Sequence, residues 1–187
     1  HVNLYEGSSH AGGRCRSYFD TELDREIDNG NHLVLSGNRA IIDYLEVIGS
    51  TDKIKIQSTA EIPFLDLANG MRWTVRPEGI LPWSWLLPEK RVPGTNLFDY
   101  LKCWRLMQAT DDQSISEVLP ANGMLWERFW APIIIAITNT DPMIASAGPM
   151  KRVIKETLAK GDKACRTVLF PEGLSAALVK PALKYIQ

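Results

Sequence analysis

The residues whose types and spacing are best suited to binding a ligand lie within the first 32 positions. Glu6 ends an apparent strand, and a loop of small and polar residues leads from it to Gly12-Gly13-Arg14 and Arg16. Glycines let a ligand approach backbone N–H groups closely, and an arginine guanidinium offers a forked donor to phosphate. In a dinucleotide-binding unit, an acidic residue binds the ribose about 20 residues after a Gly-rich turn. The segment therefore predicts the later part of such a site, with Glu6 as the ribose acid.

Two interpretations of this segment stay open at the level of the residues alone. No G-x-G occurs in the chain, and five residues precede Glu6. Either the dinucleotide hypothesis is wrong, or the chain is a fragment whose Gly-rich turn lies before His1. A Gly-Gly-Arg triplet alone is typical of a basic surface turn. The run from Asp28 to His32 favours function, although Asp28 itself is predicted to cap a turn.

Composition narrows the class of protein. The 187 residues suffice for one domain or slightly more, and 45% hydrophobic residues are enough to bury a core. A net charge of −1 and the lack of a basic block argue against a nucleic acid partner. Three widely spaced cysteines without a C-x-x-C motif predict neither a disulfide framework nor a metal site, and they fit a reducing compartment.

The predicted elements divide into a mixed first half and a helical second half. Residues 1–6 are expected to be the end of a buried strand, further strands are expected at 16–19, 25–28 and 53–56, and a helix is expected at 38–48. Asn69-Gly70 between 62–67 and 71–75 predicts a β-hairpin. A Pro-rich connection follows over 77–94. Helices are then expected at 95–108, after the capping box Ser114–Glu117, at 122–137, after Asp141-Pro142, at 149–160 and at 175–187.

Several stretches together resemble a known family of flavoproteins. They are Tyr5-Glu6 with His10-Ala-Gly-Gly-Arg-Cys-Arg-Ser-Tyr18, Ile27-Asp-Asn-Gly-Asn-His32, Ile62-Pro-Phe-Leu-Asp-Leu67 and Pro171-Glu-Gly-Leu-Ser-Ala-Ala177. The chain resembles the amine-oxidase and phytoene-desaturase superfamily. More narrowly, it is similar to the squalene-associated FAD-dependent desaturases known as hydroxysqualene dehydroxylases. The resemblance extends over nearly the whole chain, and the family's N-terminal Gly-rich turn and C-terminal part are not in it.

The resemblance implies FAD as the cofactor and assigns a role to each motif. Glu6 binds the adenosine ribose, and Gly12, Gly13 and Arg14 contact the pyrophosphate with Arg16 nearby. Gly30, Asn31 and His32 lie close to the isoalloxazine ring. No catalytic residue is assigned, and His32 is expected to position the ring rather than to act as an acid or base.

Aromatic residues are the candidates for the substrate site. Phe64, Trp73, Trp126 and Trp130 are expected to line a channel for a long isoprenoid, although core packing is the simpler interpretation of any one tryptophan. Trp83-Ser-Trp85 lies in a Pro-bounded loop and is expected to touch a membrane or a partner.

The resulting prediction is an α+β fragment of an FAD-dependent oxidoreductase. Residues 1–60 are the remnant of a Rossmann-like FAD-binding domain, and residues 61–187 are a truncated, mostly helical substrate-binding region with a β-hairpin. The resemblance implies conversion of hydroxysqualene to squalene in hopanoid synthesis. The alternatives are a carotenoid-type desaturase or an amine oxidase and, in a different class, a non-catalytic module that binds prenyl lipids.

The fragment hypothesis carries further expectations. The 187 residues alone are expected to bind no FAD, to lack redox activity and to self-associate through bared apolar faces. The expected location is the cytoplasm, with peripheral contact to the inner membrane.

Overall fold

The computed structural model describes residues 3–30, 33–79 and 86–187. Two compact units divide the chain between them. The first comprises His1–Ser58 and Arg166–Gln187, and the second comprises Thr59–Cys165. Helices and short strands occur in both units, so the fold is of the mixed α and β kind that the sequence predicts.

The first unit contains two small antiparallel sheets. Strands β1 (Ser17–Asp20) and β2 (Arg25–Asp28) form a hairpin in which Tyr18 lies opposite Ile27. The second sheet has β7 (Thr167–Leu169) between β3 (Val34–Leu35) and β4 (Lys55–Ile56). The C-terminal segment therefore supplies the central strand of a sheet whose outer strands come from the first 58 residues.

Two helices pack the small core of the first unit. Helix α1 (Arg39–Val47) begins at Asn38, whose side chain accepts a hydrogen bond from the Ile41 amide. The last helix begins with a π-helical turn, Ser175–Val179, and continues as α8 (Lys180–Tyr185). Their core consists of four buried residues, with partly buried side chains around them. The four are Leu45, Leu174, Ala177 and Leu178.

The second unit begins with the predicted hairpin. Strands β5 (Ile62–Leu65) and β6 (Arg72–Val75) pair antiparallel, with Phe64 opposite Trp73. Gly70 has a φ of +73°, the left-handed conformation that an Asn-Gly turn supplies. The hairpin is confirmed, and its apolar face packs against the core of the unit.

Helices dominate the remainder of the second unit, as predicted. They are α2 (Leu97–Leu101), α3 (Trp104–Gln108), α4 (Ile115–Val118), α5 (Ala131–Thr138), α6 (Ala147–Glu156) and α7 (Asp162–Cys165). Short 3₁₀ turns lie at Thr51–Lys53 in the first unit and at Pro88–Lys90 and Leu158–Lys160 in the second. A π-helical turn, Trp126–Trp130, leads directly into α5. In the described part of this unit, sixteen buried residues form the core, among them Leu106, Ile115, Ile134 and Met150.

Proline explains the two π-helical turns. Pro132 follows the turn at Trp126–Trp130, and Pro181 follows the turn at Ser175–Val179. A proline has no N–H, and its ring collides with the carbonyl four residues earlier in an α-helix. A wider turn just before the proline accommodates the ring, so that the helix continues. The structure thus places Pro132 inside a continuous helical segment.

Several predicted elements differ from the structure. The single helix expected at 95–108 is divided into α2 and α3. The buried strand end expected over 1–6 is wrong for residues 3–6, which are exposed coil. No described strand pairs with them, and an unpaired strand is not stable. The helix expected after Asp141-Pro142 is also wrong. There the chain makes one turn, closed by the bond from the Ala145 amide to the Asp141 carbonyl, and α6 begins at Ala147.

Candidate functional site

The candidate ribose acid, Glu6, lies on the surface of the first unit. Its Oε1 accepts a hydrogen bond from the Ser8 amide at 2.9 Å. This bond holds the pKa of the Glu6 carboxyl below its usual value, because it stabilises the charged form. Glu6 is therefore an exposed carboxylate, available to a polar ligand.

The glycine pair has the backbone geometry of a close approach. Gly12 and Gly13 both have positive φ, at +100° and +57°. A Cβ on Gly12 would lie 2.7 Å from Val179 Cγ2 and 2.9 Å from the Cys15 carbonyl oxygen, so glycine is required there. No heavy atom lies within 4 Å of a Cβ built on Gly13, which leaves that side of the loop open to a ligand.

The arginines beside the glycines differ in exposure. Arg14 is exposed, whereas Arg16 is half-buried. Asn29 connects this loop to the end of the β1–β2 hairpin, because its amide donates to the Arg16 carbonyl at 2.8 Å. Gly30 is half-buried at the end of this run, and Asn31 and His32 lie outside the described residues. The structure therefore brings the 12–16 loop and the 29–30 segment together.

A polar network fixes this loop to the last helix. Asp28 Oδ1 accepts hydrogen bonds from the Ser17 hydroxyl at 2.6 Å and from the Leu174 amide at 2.8 Å. The Ser17 amide donates to Ser175 Oγ at 2.7 Å, and the Ser175 amide donates to Ser17 Oγ at 3.0 Å. These bonds satisfy N–H groups at the start of the helix that have no partner within it. Asp28 is expected to cap a turn, and in the structure it instead caps the start of a helix 146 positions away.

Sequence reasoning did not single out Ser17, Leu174 and Ser175 as partners of the candidate loop. The signal lay in the two separate stretches that resemble the family, one ending in Arg16-Ser17-Tyr18 and the other containing Gly173-Leu174-Ser175. Gly173 lies between them, and a Cβ there would be 2.6 Å from Ser17 Oγ. The close approach of β1 to the helix therefore requires glycine at 173.

The second unit contains an apolar groove of about 420 Å³. This volume is within the range of sites for small molecules, roughly 300–1,000 Å³. Its wall is formed mainly by aliphatic and aromatic side chains from β6, α2, α3 and the helix before Pro132. They include Val75, Val92, Leu97, Tyr100, Leu101, Trp104, Leu106, Met107, Leu125, Phe129 and Trp130. Such a lining suits an apolar ligand.

The four predicted substrate residues occupy different places around this groove. Trp130 lines it directly. Phe64 and Trp73 stack with their ring centroids 5.4 Å apart. The ring centroid of Phe64 lies 5.9 Å from that of Phe129, which lines the groove. Trp126 is buried in the same core and is not among the described residues of the groove. The residues that sequence reasoning missed, Leu97 to Met107, have the apolar spacing of the predicted 95–108 helix as their signal.

A thiol fixes one wall of the groove. The Trp130 indole N–H donates to Cys103 Sγ at 3.1 Å. Burial raises the pKa of the Cys103 thiol to about 11, so it is neutral at physiological pH. The Phe129 and Trp130 rings meet edge to face with centroids 5.0 Å apart, which holds both at the groove.

Further features bear on metals and membranes. Within the described ranges, no three His, Cys, Asp or Glu side chains cluster in a way that would hold a metal ion. The same ranges contain no helix with the length and apolar character to cross a bilayer. The Trp83-Ser-Trp85 patch lies outside the described residues.

Comparison with known proteins gives a consistent set of relatives. The chain is 41% identical over 187 residues to a hydroxysqualene dehydroxylase of Sinorhizobium fredii, covering all of this chain and 45% of that protein. It is 42% identical over 183 residues to that of Rhodopseudomonas palustris, covering 97% and 44%. The dehydroxylase of Zymomonas mobilis is 38% identical over 187 residues, covering 100% and 45%. The chain thus spans a little under half the length of these curated relatives.

A family profile extends the comparison beyond these relatives. The profile for flavin containing amine oxidoreductases matches residues 1–129, which is more than half of the chain and includes the glycine loop, the β1–β2 hairpin and the start of the groove. The chain belongs to the flavin containing amine oxidoreductase family.

Proposed function

We propose that this chain is part of an FAD-dependent hydroxysqualene dehydroxylase, which forms squalene for hopanoid synthesis. The identity of 38–42% along essentially the whole chain to three relatives of that name is the observation that carries the proposal. In this proposal the first unit is the remnant of a Rossmann-like FAD-binding domain. The groove of the second unit holds the polyisoprenoid.

The glycine loop has features that fit the polar part of FAD. Gly12 leaves no room for a side chain, Gly13 is open, and the Arg14 guanidinium is exposed beside them. Backbone N–H groups and an arginine are suited to a pyrophosphate, and the exposed Glu6 carboxylate is suited to ribose hydroxyls. Arg16, Gly30, Asn31 and His32 complete the proposed cofactor residues.

The groove supplies the environment that loss of a hydroxyl from an isoprenoid needs. The C–O bond breaks, the hydroxyl leaves with a proton as water, and a carbocation develops on the substrate carbon. When bound, FAD in its reduced form would supply both the hydride that replaces the hydroxyl and the proton with which the hydroxyl leaves. Aliphatic side chains around the groove exclude water, and the ring faces of Phe129 and Trp130 stabilise positive charge.

The cofactor half is tested by flavin retention in the full-length protein. Arg14→Ala removes a charged contact to phosphate, which is worth on the order of 1.5–3 kcal/mol, or roughly a 10- to 150-fold rise in the dissociation constant for FAD. Glu6→Ala is expected to weaken FAD binding in the same direction. Arg39→Ala is the control, because Arg39 is an exposed arginine of the same unit that pairs with Asp43. Full flavin absorbance in both Arg14→Ala and Glu6→Ala would contradict the proposed cofactor site.

The substrate half is tested by filling the groove. Leu97 lines it and is half-buried, so Leu97→Trp is expected to raise the KM for hydroxysqualene while flavin absorbance stays unchanged. Leu67→Trp is the control, because Leu67 is 88% exposed and is not a groove residue. If both variants turn over hydroxysqualene as the wild type does, the groove is not the substrate site. Oxidation of an amine or of a polyene by the wild type, with no dehydroxylation, would favour the other flavoenzyme classes.

A further inference from the structure

The segment from Leu97 to Gln108 has two faces of opposite character. Helices α2 and α3 are joined by a tight helical turn, in which the Cys103 amide donates to the Tyr100 carbonyl at 3.0 Å and the Leu106 amide to the Cys103 carbonyl at 3.1 Å. Tyr100 and Leu106 are buried in the core. On the other side, large apolar side chains recur every third residue and stay in solvent. These are Phe98, Leu101 and Trp104, which are 73%, 63% and 54% exposed.

The exposed side chains continue into the mouth of the groove. Leu86 is 53% exposed, and with Leu101 and Trp104 it also lines the groove. We call these residues together with Phe98 the α2–α3 face. Single exposed apolar residues need no explanation, but a contiguous set beside a groove marks an interaction surface. The α2–α3 face therefore shares two of its exposed helical side chains, Leu101 and Trp104, with the groove.

Basic residues lie next to the α2–α3 face in the sequence. The segment from Leu86 to Gln108 contains four basic side chains, Lys90, Arg91, Lys102 and Arg105, and two acidic ones, Glu89 and Asp99. The Asp99 carboxylate is engaged in the cap of α2, where it accepts a hydrogen bond from the Asn96 amide at 2.9 Å. Lys90, Lys102 and Arg105 are exposed. The face is thus locally basic in a chain whose net charge is −1.

We propose that the α2–α3 face docks on the surface of a bilayer that contains anionic lipid. Aromatic and aliphatic side chains enter the boundary between headgroups and acyl chains, and flanking lysine and arginine bind anionic headgroups. This inference rests on the proposed function, which supplies the reason for docking on a membrane. A water-insoluble isoprenoid partitions into the bilayer, and docking at the groove mouth gives it a path that avoids water.

The direct test is sedimentation of the full-length protein with vesicles. Vesicles of phosphatidylcholine with phosphatidylglycerol are expected to bind it, and vesicles of phosphatidylcholine alone are expected to bind it more weakly. Phe98→Ser is expected to reduce the partition coefficient, by roughly tenfold if the ring is fully inserted. Lys102→Glu with Arg105→Glu is expected to reduce it further on the anionic vesicles, and raising the salt concentration is expected to weaken wild-type binding.

Matched controls come from the same unit. Ile144 is 73% exposed, the same fraction as Phe98, and it lies outside the face, so Ile144→Ser is expected to leave binding unchanged. Lys155→Glu with Lys163→Glu reverses two exposed lysines elsewhere in the unit. None of the substituted side chains lines the groove. Circular dichroism of each variant checks that it remains folded.

Turnover separates this inference from the proposed function. With hydroxysqualene in detergent micelles, Phe98→Ser is expected to match the wild type, and with hydroxysqualene embedded in anionic vesicles it is expected to be slower. If wild type and variants bind vesicles equally, or if none binds, docking by this face is overturned even where micellar turnover persists. Light scattering measures the oligomeric state of each variant. If Phe98→Ser changes the oligomeric state but leaves vesicle binding unchanged, the face is a protein interface and the proposal is wrong. If vesicle binding depends on the face but hydroxysqualene is turned over neither in micelles nor in vesicles, the docking proposal is supported and the proposed function is contradicted.

Discussion

In the first unit the last helix is held by hydrogen bonds from residues far away in the chain, whereas α2 and α4 of the second unit begin with capping boxes formed by immediate neighbours. Ser175 exchanges hydrogen bonds with Ser17, 158 positions earlier. In the second unit, Asn96 and Asp99 form a capping box around the start of α2 only three residues apart. Among the residues that the structure describes, the main apolar cluster has four buried members in the first unit and sixteen in the second. A unit with little apolar core depends more on long-range polar contacts to fix its geometry.

The carbonyl group left without an α-helical donor by Pro181 gives the clearest example. In an α-helix the residue at position 181 would donate to the carbonyl of Ala177, but proline has no N–H. The Ser50 hydroxyl donates to that carbonyl instead, at 2.8 Å, and the Tyr44 hydroxyl donates to the neighbouring Leu178 carbonyl at 2.8 Å. A helix break in one part of the chain is thus satisfied from α1 and the turn that follows it. This connection holds the C-terminal segment in the first unit.

The largest effect is expected from the apolar core of the second unit. Ile134 is fully buried, so Ile134→Ala leaves a cavity and should lower the free energy of unfolding by about 2–5 kcal/mol. Ile135 on the same helix is 52% exposed, and Ile135→Ala should change it by less than about 0.5 kcal/mol. All six tryptophans lie between residues 73 and 130, so fluorescence during urea unfolding reports on the second unit. Equal losses in the two variants would contradict the assignment of the core.

A smaller effect is expected from the polar network of the first unit. Asp28→Ala removes the acceptor of the Ser17 hydroxyl and of the Leu174 amide, and an unsatisfied buried group costs about 1–3 kcal/mol. The loss should appear as faster hydrogen exchange in the last helix, while the tryptophan transition of the second unit stays in place. Glu26 lies exposed on the same strand, and Glu26→Ala is the control. If the tryptophan transition shifts as strongly as exchange in the last helix, the two units do not differ in the way described.

Local patterns predicted the second unit better than the first, for a physical reason. The Asn69-Gly70 hairpin and the Ser114–Glu117 capping box depend on residues within a few positions, and both are confirmed. The strand β7 is three residues long, and it exists because β3 and β4 flank it from the distant N-terminal part. A segment of three residues is too short to show a hydrophobic pattern that would predict the strand or its partner strands. The Asp28 cap likewise showed its residue type in the sequence but not its helix.

The two candidate sites show the same difference between features that neighbouring residues determine and features that distant residues determine. Gly12, Gly13 and Arg14 form a contiguous motif whose chemistry is legible in the sequence, and their proposed role in binding FAD stays a prediction. The groove is assembled from β6, α2, α3 and the helix before Pro132, so its wall depends on packing rather than on a motif. Of the aromatic residues proposed for it, Trp130 reaches the groove and Trp126 points to the core of the same unit. The two are four positions apart, and the π-helical turn between them changes the spacing that an α-helix would give.

The smallest effect is expected at the local cap of α4. Glu117 accepts hydrogen bonds from the Ser114 amide and hydroxyl, which hold the pKa of its carboxyl below the ordinary value of 4.5. Because the folded state binds the proton less well than the unfolded state, the charged cap stabilises the protein above pH 4.5, and this contribution disappears as the pH falls through the folded pKa. Glutamine keeps the acceptor and loses the charge. Glu117→Gln should therefore lower the Tm slightly at pH 7, and the difference from the wild type should vanish in acid.

Glu127→Gln removes an exposed carboxylate of the same unit and serves as the control for net charge. A Tm difference for Glu117→Gln that stays constant from pH 7 to pH 3 would mean that the charge on this local cap contributes nothing. The contrast with the long-range cap at Asp28 would then rest on hydrogen bonds alone.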